Sequence, residues 1–383
     1  TKYRRRLIHT ESMHVSNRFL SLNGKPVKTP VVLASMAGIT NAEYVLQRSS
    51  HVGAAFIGGY SLDDATRSAA KEMKESGRTE FEDDLDAIAT EIAMLDGTDV
   101  VLGLNLRGST PEAYVAAARK FGTAVIYEID AHCRQQPMID AHCGEYLLQN
   151  SDALCDIVRS LHAEGVCVSV KMRAGVVDDR RLARELWAAG ADILHVDLMD
   201  TGYTRIRQIR NSCPLVLIAN NGIGTPDRMM DMFSHGADLV SLARSADVST
   251  LQLLDRYIRA TADENGWYNA PKQLCRGGDL RSLTFCCMPV KQCPLLPTLD
   301  TIGMSRQEYL GLKEGLAKET VLSQGSHTCF GGLAWCCKAS TPCMFRDMTL
   351  KSLSLPKSEY MMLKRDLSEK IMKQVFADVP SDC

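Results

Sequence analysis

The sequence predicts an α/β protein, with a (β/α)8 TIM barrel followed by a small, partly helical, cysteine-rich metal-binding domain. Three observations predict it: eight short β-branched or aliphatic runs, helix-period segments between most of them, and dense cysteines after about residue 261. Eight strands alternating with helices favour a parallel sheet, and eight is the number at which such a sheet closes. A chain of 383 residues suits two domains, which we place at 1–262 and 263–383.

The predicted strands are runs of four to six mostly aliphatic residues. They are Val31–Ala34, Ala54–Gly58, Val100–Asn105, Ala124–Ile129, Cys167–Met172, Ile193–Asp197, Leu215–Ala219 and Leu239–Leu242. Helical periodicity is found in Pro111–Lys120, Leu147–Ala163, Arg181–Ala189 and Asp227–His235. Gly190 and Gly236, each followed by Ala and Asp, are typical helix-end signals before the sixth and eighth strands. The acidic stretch 62–99 is expected to form a solvated helical loop.

Composition and charge exclude several classes of protein. The 45% hydrophobic and 23% charged content is that of an ordinary globular protein. The net charge of −2 lacks the basic excess of a nucleic-acid binder, so a nucleic-acid partner is not expected. The absence of a long apolar run or a secretion signal leads us to expect a cytoplasmic protein without a membrane span. In a reducing compartment, the 14 cysteines favour metal binding or catalysis over disulfides.

The C-terminal part contains an internal repeat, with copies at about 275–320 and 329–378. Each copy has a Cys-x-Gly-Gly segment, an aromatic-Cys-Cys segment, a fourth cysteine and a helix with a Glu-Tyr-x-x-Leu-Lys pattern. Ser305 and Glu308 predict a capping box at the start of the first helix. An apolar stripe at i+4 spacing runs along the second helix. We expect these helices to pack against each other or onto the barrel.

Each copy supplies four cysteines, which is one ligand set for a tetrahedral zinc ion or an iron–sulfur cluster. The candidate metal ligands are Cys275, Cys286, Cys287, Cys293, Cys329, Cys336, Cys337 and Cys343. Two 4Fe-4S clusters are favoured over zinc where the barrel of the same chain carries out redox chemistry, because such a barrel needs an electron source or sink. Adjacent cysteines rarely ligate one metal, so one member of each pair could serve the other copy's site. The alternative is a set of thiols or disulfides that staples a small domain.

Residues about 25–260 resemble the barrel of the dihydrouridine synthase family, which uses FMN to reduce or oxidise a C=C bond. The whole chain, through Phe285-Cys286-Cys287 and Trp335-Cys336-Cys337, is similar to the methanogenesis marker protein nine family. The resemblance implies that Met36 and Asn105 contact the flavin ring, with Asn105 standing where the family has Gln. The remaining cofactor-binding residues that it implies are Lys171 and Arg173 at the end of the fifth strand, and Asn220, Gly222, Ala243 and Arg244 at the phosphate.

The residues themselves support this site, because Lys171 and Arg173 end a barrel strand and should point at the active face. An ion pair at the strand end is the alternative. The resemblance makes Cys133 the acid that protonates the substrate carbon, and the alternative is an inert thiol. Asp130 stands where the family has an asparagine. Asp197 stands where the family has a histidine, with His195 expected on the other side of that strand as a core residue.

The leading hypothesis is therefore an FMN-dependent oxidoreductase that exchanges electrons with two iron–sulfur clusters in a methanogenesis-related process. Lys171 would stabilise the reduced flavin, Cys133 would handle the proton, and Asp130 or Asp197 would orient the substrate. A protein redox partner or protein substrate is expected. The alternatives are a tRNA-dihydrouridine synthase, or a non-catalytic scaffold protein that binds zinc.

Overall fold

The computed structural model describes residues 20–82, 84–199, 201–210, 212–213, 215–265, 303–324, 333–335 and 344–375. Eight parallel strands close into a barrel, in which each strand pairs with its sequence neighbours and the last pairs with the first. The barrel strands are β3 (Val31–Leu33), β4 (Ala54–Ser61), β5 (Val101–Arg107), β6 (Ile126–Ala131), β7 (Cys167–Arg173), β8 (Ile193–Asp197), β9 (Val216–Asn220) and β10 (Leu239–Leu242). The predicted TIM barrel is confirmed, and all eight predicted strands are present.

A β-hairpin, β1 (Leu20–Leu22) and β2 (Lys25–Val27), precedes the barrel. Its Leu22 and Val27 side chains are buried in one apolar cluster with residues near the N-terminal ends of the barrel strands, among them Phe56 and Ile126. Fully burying a side chain of this size stabilises the fold by about 1.5–3 kcal/mol. The hairpin therefore seals the N-terminal end of the barrel, and the opposite end is left for polar side chains.

Helices surround the barrel, and their apolar faces pack on the outward-facing strand residues. They are α1 (Ala42–Leu46), α2 (Asp64–Glu75), α3 (Leu85–Met94), α4 (Pro111–Phe121), α5 (Gln136–Asp140), α6 (Glu145–Gln149), α7 (Ser151–Ala163), α8 (Asp179–Ala189), α9 (Thr204–Arg210), α10 (Pro226–Ser234) and α11 (Val248–Asn265). Gly190 ends α8 in the left-handed conformation, with φ of 100°, as its position in the sequence predicts. The single predicted helix 147–163 is two helices, α6 and α7, which meet at Asn150.

The stretch 62–99 forms α2 and α3, which confirms its prediction as helical. Asp63 and Asp84 cap these two helices by accepting hydrogen bonds from backbone N–H groups. The connection between the helices is not simply solvated, because Glu80 is buried and bonds to Arg107 of β5. This contact anchors the stretch to the end of the barrel.

The described C-terminal residues form α12 (Arg306–Ala317), α13 (Met344–Ser352) and α14 (Lys357–Val375). Ser305 and Glu308 form the predicted capping box at the start of α12. Helices α12 and α14 pack together, and Leu367 and Ile371 are buried in a small apolar cluster with Ala317. None of the described helices is both long enough and apolar enough to cross a membrane.

Candidate active site

Lys171 places an ammonium group at the C-terminal mouth of the barrel. The side chain is 7% exposed. Its Nζ donates to the Ser35 backbone oxygen at 3.2 Å and to the Ser35 Oγ at 3.0 Å. Ser35 follows β3, which lies opposite β7 in the ring of eight strands. The Lys171 side chain therefore reaches across the mouth, and its charge lies inside the rim.

Arg107 links β5, β6 and the stretch 62–99 at one side of this mouth. Its Nε donates to Asp130 Oδ2 at 2.8 Å, and its Nη1 donates to Glu80 Oε2 at 2.6 Å. Burial by itself would raise the pKa of Asp130. The charge of Arg107 outweighs this effect, and the pKa is lowered to about 2. Burial raises the pKa of Glu80 above its usual value in spite of Arg107. The sequence pattern did not single out Arg107 or Glu80.

His132 and Asp197 form a polar pair that spans from the end of β6 to the end of β8. The His132 Nε2 lies 2.8 Å from Asp197 Oδ2, and the His132 side chain is 31% exposed. Burial tends to raise the pKa of Asp197, but the hydrogen bonds from His132 and the Met199 N–H lower it below its usual value. The pair therefore combines a partly exposed imidazole with a carboxylate that stays ionised at neutral pH.

Cys133, the predicted proton donor, directly follows His132 in the chain, but its side chain packs elsewhere. Its side chain is in an apolar cluster with Ala69 and Met73 of α2 and Met138 of α5. Burial, and then the charge of Asp130, raise the pKa of the Cys133 thiol. Gly144 lies directly against the Cys133 backbone, since a Cβ on Gly144 would lie 2.2 Å from the Cys133 carbonyl oxygen.

A chain of hydrogen bonds crosses the barrel interior below the mouth. Glu128 accepts from Asn105 Nδ2 at 2.9 Å and lies 2.8 Å from His195 Nδ1. The His195 Nε2 lies 2.7 Å from Ser241 Oγ, which also accepts from Asn220 Nδ2 at 2.7 Å. All five side chains are buried. Despite burial, the adjacent His195 lowers the pKa of Glu128.

The interior position of His195 corrects one expectation. We expected His195 on the opposite side of β8 from Asp197, but residues two apart on a strand share a face. Both side chains point into the barrel, where His195 is fully buried. The same alternation places Glu128 and Asp130 of β6 inside. Glu128 and Asp130 occupy alternate positions of an otherwise apolar strand, and this pattern could have predicted from the sequence that Glu128 belongs to the barrel interior.

The other predicted cofactor-binding residues also lie at the C-terminal ends of strands. Arg173 pairs with Glu145, and its Nε is buried with no hydrogen-bond partner among the described residues. Gly222 has φ of 69°, and nothing lies within 4 Å of the position its Cβ would take. Met36 and Ala243 are half-buried, and Arg244 is exposed. The prediction for these residues stays a prediction.

The eight candidate metal ligands lie outside the described residues. Within the described part of the chain, no group of three or more His, Cys, Asp or Glu side chains is arranged to hold a metal ion. The metal-binding prediction therefore rests on the sequence repeat and stays a prediction.

Comparison with known proteins gives one matching family model, described as "Dihydrouridine synthase (Dus)", over residues 89–259. The uncharacterized protein MJ0115 of Methanocaldococcus jannaschii is 48% identical over 108 residues, which are 28% of this chain and 70% of that protein. The uncharacterized protein MJ0144 of the same organism is 27% identical over 232 residues, which are 56% of this chain and 88% of that protein.

Among solved structures, the crystal structure of DHODH from Eimeria tenella in complex with ferulenol has a similar fold. The TM-score is 0.50 and the sequence identity is 14%, over 68% of this chain and 88% of that chain. This likeness agrees with the barrel architecture. The chain belongs to the same family as MJ0115. Its barrel has a dihydrouridine synthase-like fold, which supports an enzyme of the flavin-dependent oxidoreductase type.

Proposed function

We propose that the protein is an FMN-dependent oxidoreductase that exchanges electrons with two iron–sulfur centres held by its cysteine repeat. The observation that carries the flavin part is the Lys171 ammonium, which lies inside the mouth of the barrel. A buried cation at the active end of a TIM barrel stabilises the negative charge that a reduced flavin carries. The match to the dihydrouridine synthase family supports the same cofactor.

The residues at the mouth fit the chemistry of FMN. Lys171 would face the ring, while Arg173 offers a buried N–H without a partner among the described residues. The open backbone at Gly222 and the exposed cation of Arg244 suit a phosphate after the seventh and eighth barrel strands. Bound FMN would supply hydride transfer at its N5 atom. The chain's own residues would bind it, orient the substrate and move the proton.

We assign the proton to His132 rather than to Cys133. The His132 ring is partly exposed, and its Nε2 is held 2.8 Å from the Asp197 carboxylate. Histidine is the side chain that most often transfers protons in enzymes. The Cys133 thiol is buried among apolar side chains and its pKa is raised, so it is a poor acid at neutral pH. When one carbon of a C=C bond gains a hydride, the other would gain the His132 proton, which solvent then replaces.

This assignment has a direct test. With an unsaturated acceptor that reoxidises the reduced protein, His132→Gln should slow the reaction by about 100-fold. Cys133→Ser should change the rate by less than about threefold. A larger loss of rate in Cys133→Ser than in His132→Gln would instead identify Cys133 as the proton donor.

The metal centres rest on the duplicated set of four cysteines. Thiolates bind soft metals strongly, and electron transfer gives iron–sulfur clusters a role beside a flavin. Protein prepared without oxygen should show a flavin spectrum together with iron and inorganic sulfide. Zinc without iron would favour the scaffold function, and colourless protein that does not bind added FMN would refute the flavin part.

A second candidate function is the reduction of uridine in tRNA, because the family model over residues 89–259 is that of dihydrouridine synthases. The net charge of −2 disfavours it, since affinity for RNA depends on neutralising phosphates. Tight tRNA binding that weakens steeply with salt would support it. A methanogenesis-related process, with a protein redox partner or protein substrate, is proposed from the resemblance of the whole chain.

A further inference from the structure

The structure gives the Glu-Tyr-x-x-Leu-Lys repeat a common geometry. Tyr309 and Lys313 lie one turn apart on α12, and Tyr360 and Lys364 lie one turn apart on α14. All four side chains are fully buried, which is rare for lysine. The lysine Nζ lies 5.8 Å from the tyrosine ring centre in the first pair and 6.0 Å in the second. The sequence repeat is thus also a repeat of buried tyrosine–lysine pairs.

In the second copy, this pair holds the backbone just before the paired cysteines. The Lys364 Nζ donates to the Ala334 carbonyl oxygen at 2.8 Å, and the Tyr360 hydroxyl donates to the Leu333 carbonyl oxygen at 3.2 Å. In the sequence, Leu333 and Ala334 separate Cys329-Phe330-Gly331-Gly332 from Trp335-Cys336-Cys337. Two buried donors on one helix therefore fix the short peptide that joins two predicted ligand segments.

The described C-terminal residues include three fully buried cations, which are Lys313, Arg346 and Lys364. Arg346 follows Cys343 by three residues and donates to Asp347. A centre ligated by four thiolates is negatively charged, and burying it is costly without nearby positive charge. The Lys364 ammonium is bonded to the carbonyl group of Ala334, two residues before Cys336 in the chain, and is placed to meet this requirement.

We infer that the Tyr360–Lys364 pair positions the second cysteine segment and supplies a counter-charge to a thiolate-ligated metal centre there. The sequence repeat predicts the same role for Tyr309 and Lys313 in the first copy, where Leu283-Thr284 precedes Phe285-Cys286-Cys287 as Leu333-Ala334 precedes Trp335-Cys336-Cys337. The inference rests on the metal-binding part of the proposed function. It adds positioning residues that are not ligands. Such supporting contacts are typically worth 10–100-fold in metal affinity.

The test uses the full-length protein, purified without oxygen, and compares Lys364→Met with Lys370→Met. Lys370 is an exposed lysine on the same helix and serves as the matched control. Lys364→Met should release one of the two centres to a chelator at least tenfold faster than the control. If that centre is redox-active, its midpoint potential should fall, because removing a nearby positive charge disfavours the reduced, more negative form.

Tyr360→Phe removes one hydroxyl and keeps the charge, so it tests positioning even if Lys364→Met does not fold. It should accelerate metal release without lowering the potential as Lys364→Met does. Release rates and potentials equal to those of Lys370→Met would overturn the inference while leaving the metal centres in place. Wild-type protein without iron or zinc would instead refute the metal-binding part of the proposed function, and the inference with it.

Discussion

Replacing Arg107 by methionine should strongly destabilise the barrel. The change leaves the carboxylates of Glu80 and Asp130 buried without the guanidinium that now bonds to both. Removing one partner of a buried ion pair typically costs about 3–5 kcal/mol. The lowering of the pKa of Asp130 from 3.8 to about 2 corresponds by itself to roughly 2 kcal/mol. Both values are large beside a typical folding stability of about 5–15 kcal/mol.

The pH dependence gives a second, signed prediction. In the wild type, the ionised Asp130 stabilises the fold above its unfolded pKa of 3.8, and this contribution is lost as the pH falls towards 2. In Arg107→Met, burial without the cation should raise the pKa of both carboxylates above their unfolded values. The variant should then regain about 1–2 kcal/mol of its lost stability between pH 7 and pH 5, because protonation favours its folded state.

The assay is urea denaturation followed by far-ultraviolet circular dichroism at pH 7 and pH 5. The control is Arg119→Met, because Arg119 pairs with Glu164 at the surface and this change should barely move the midpoint. A midpoint for Arg107→Met close to that of the control would refute the reasoning about burial. An equal loss at both pH values would refute the reasoning about protonation.

Three further changes test other parts of the barrel. Lys171→Met should lower the two-electron potential of bound flavin by about 50 mV, measured against a reference dye, because the reduced flavin loses a nearby cation. Gly144→Ala should destabilise the protein by more than about 3 kcal/mol in urea denaturation, because the new Cβ would overlap a backbone carbonyl group. The control is Gly165→Ala, which has a similar φ but open space around the new Cβ and should cost about 1–2 kcal/mol. His195→Leu should cost about 3–5 kcal/mol, since it leaves Glu128 as a buried carboxylate, and replacing both by leucine should cost less than the sum of the single changes. If the double change costs as much stability as the two single changes added together, the contact between Glu128 and His195 is contradicted.

Most of the barrel could be predicted from local sequence features. Strand β8 (Ile193–Asp197) and strand β10 (Leu239–Leu242) have the predicted bounds, and the others differ by one to three residues at an end. Apolar runs and helix-end glycines act within a few residues, so they can be recognised along the chain. The Ser305–Glu308 capping box is local in the same way and was also predicted.

The partners within the candidate site could not be predicted in this way. Glu128 and His195 are 67 residues apart, and His132 and Asp197 are 65 residues apart. Alternation along a strand indicates which side chains point inwards, but it does not identify which of them meet. Their meeting depends on the register of neighbouring strands and on the closure of the ring, which only the tertiary structure decides.

The sequence by itself determined the barrel, its lysine-bearing strand and the duplicated cysteine segments, because each is written in residue types at short spacing. The tertiary structure decided that Lys171 reaches across the mouth to Ser35, that Cys133 packs among apolar side chains, and that His132 bonds to Asp197. The physical reason is that charges and hydrogen-bonding groups from distant strands find one another only when burial brings them to the same end of a closed barrel.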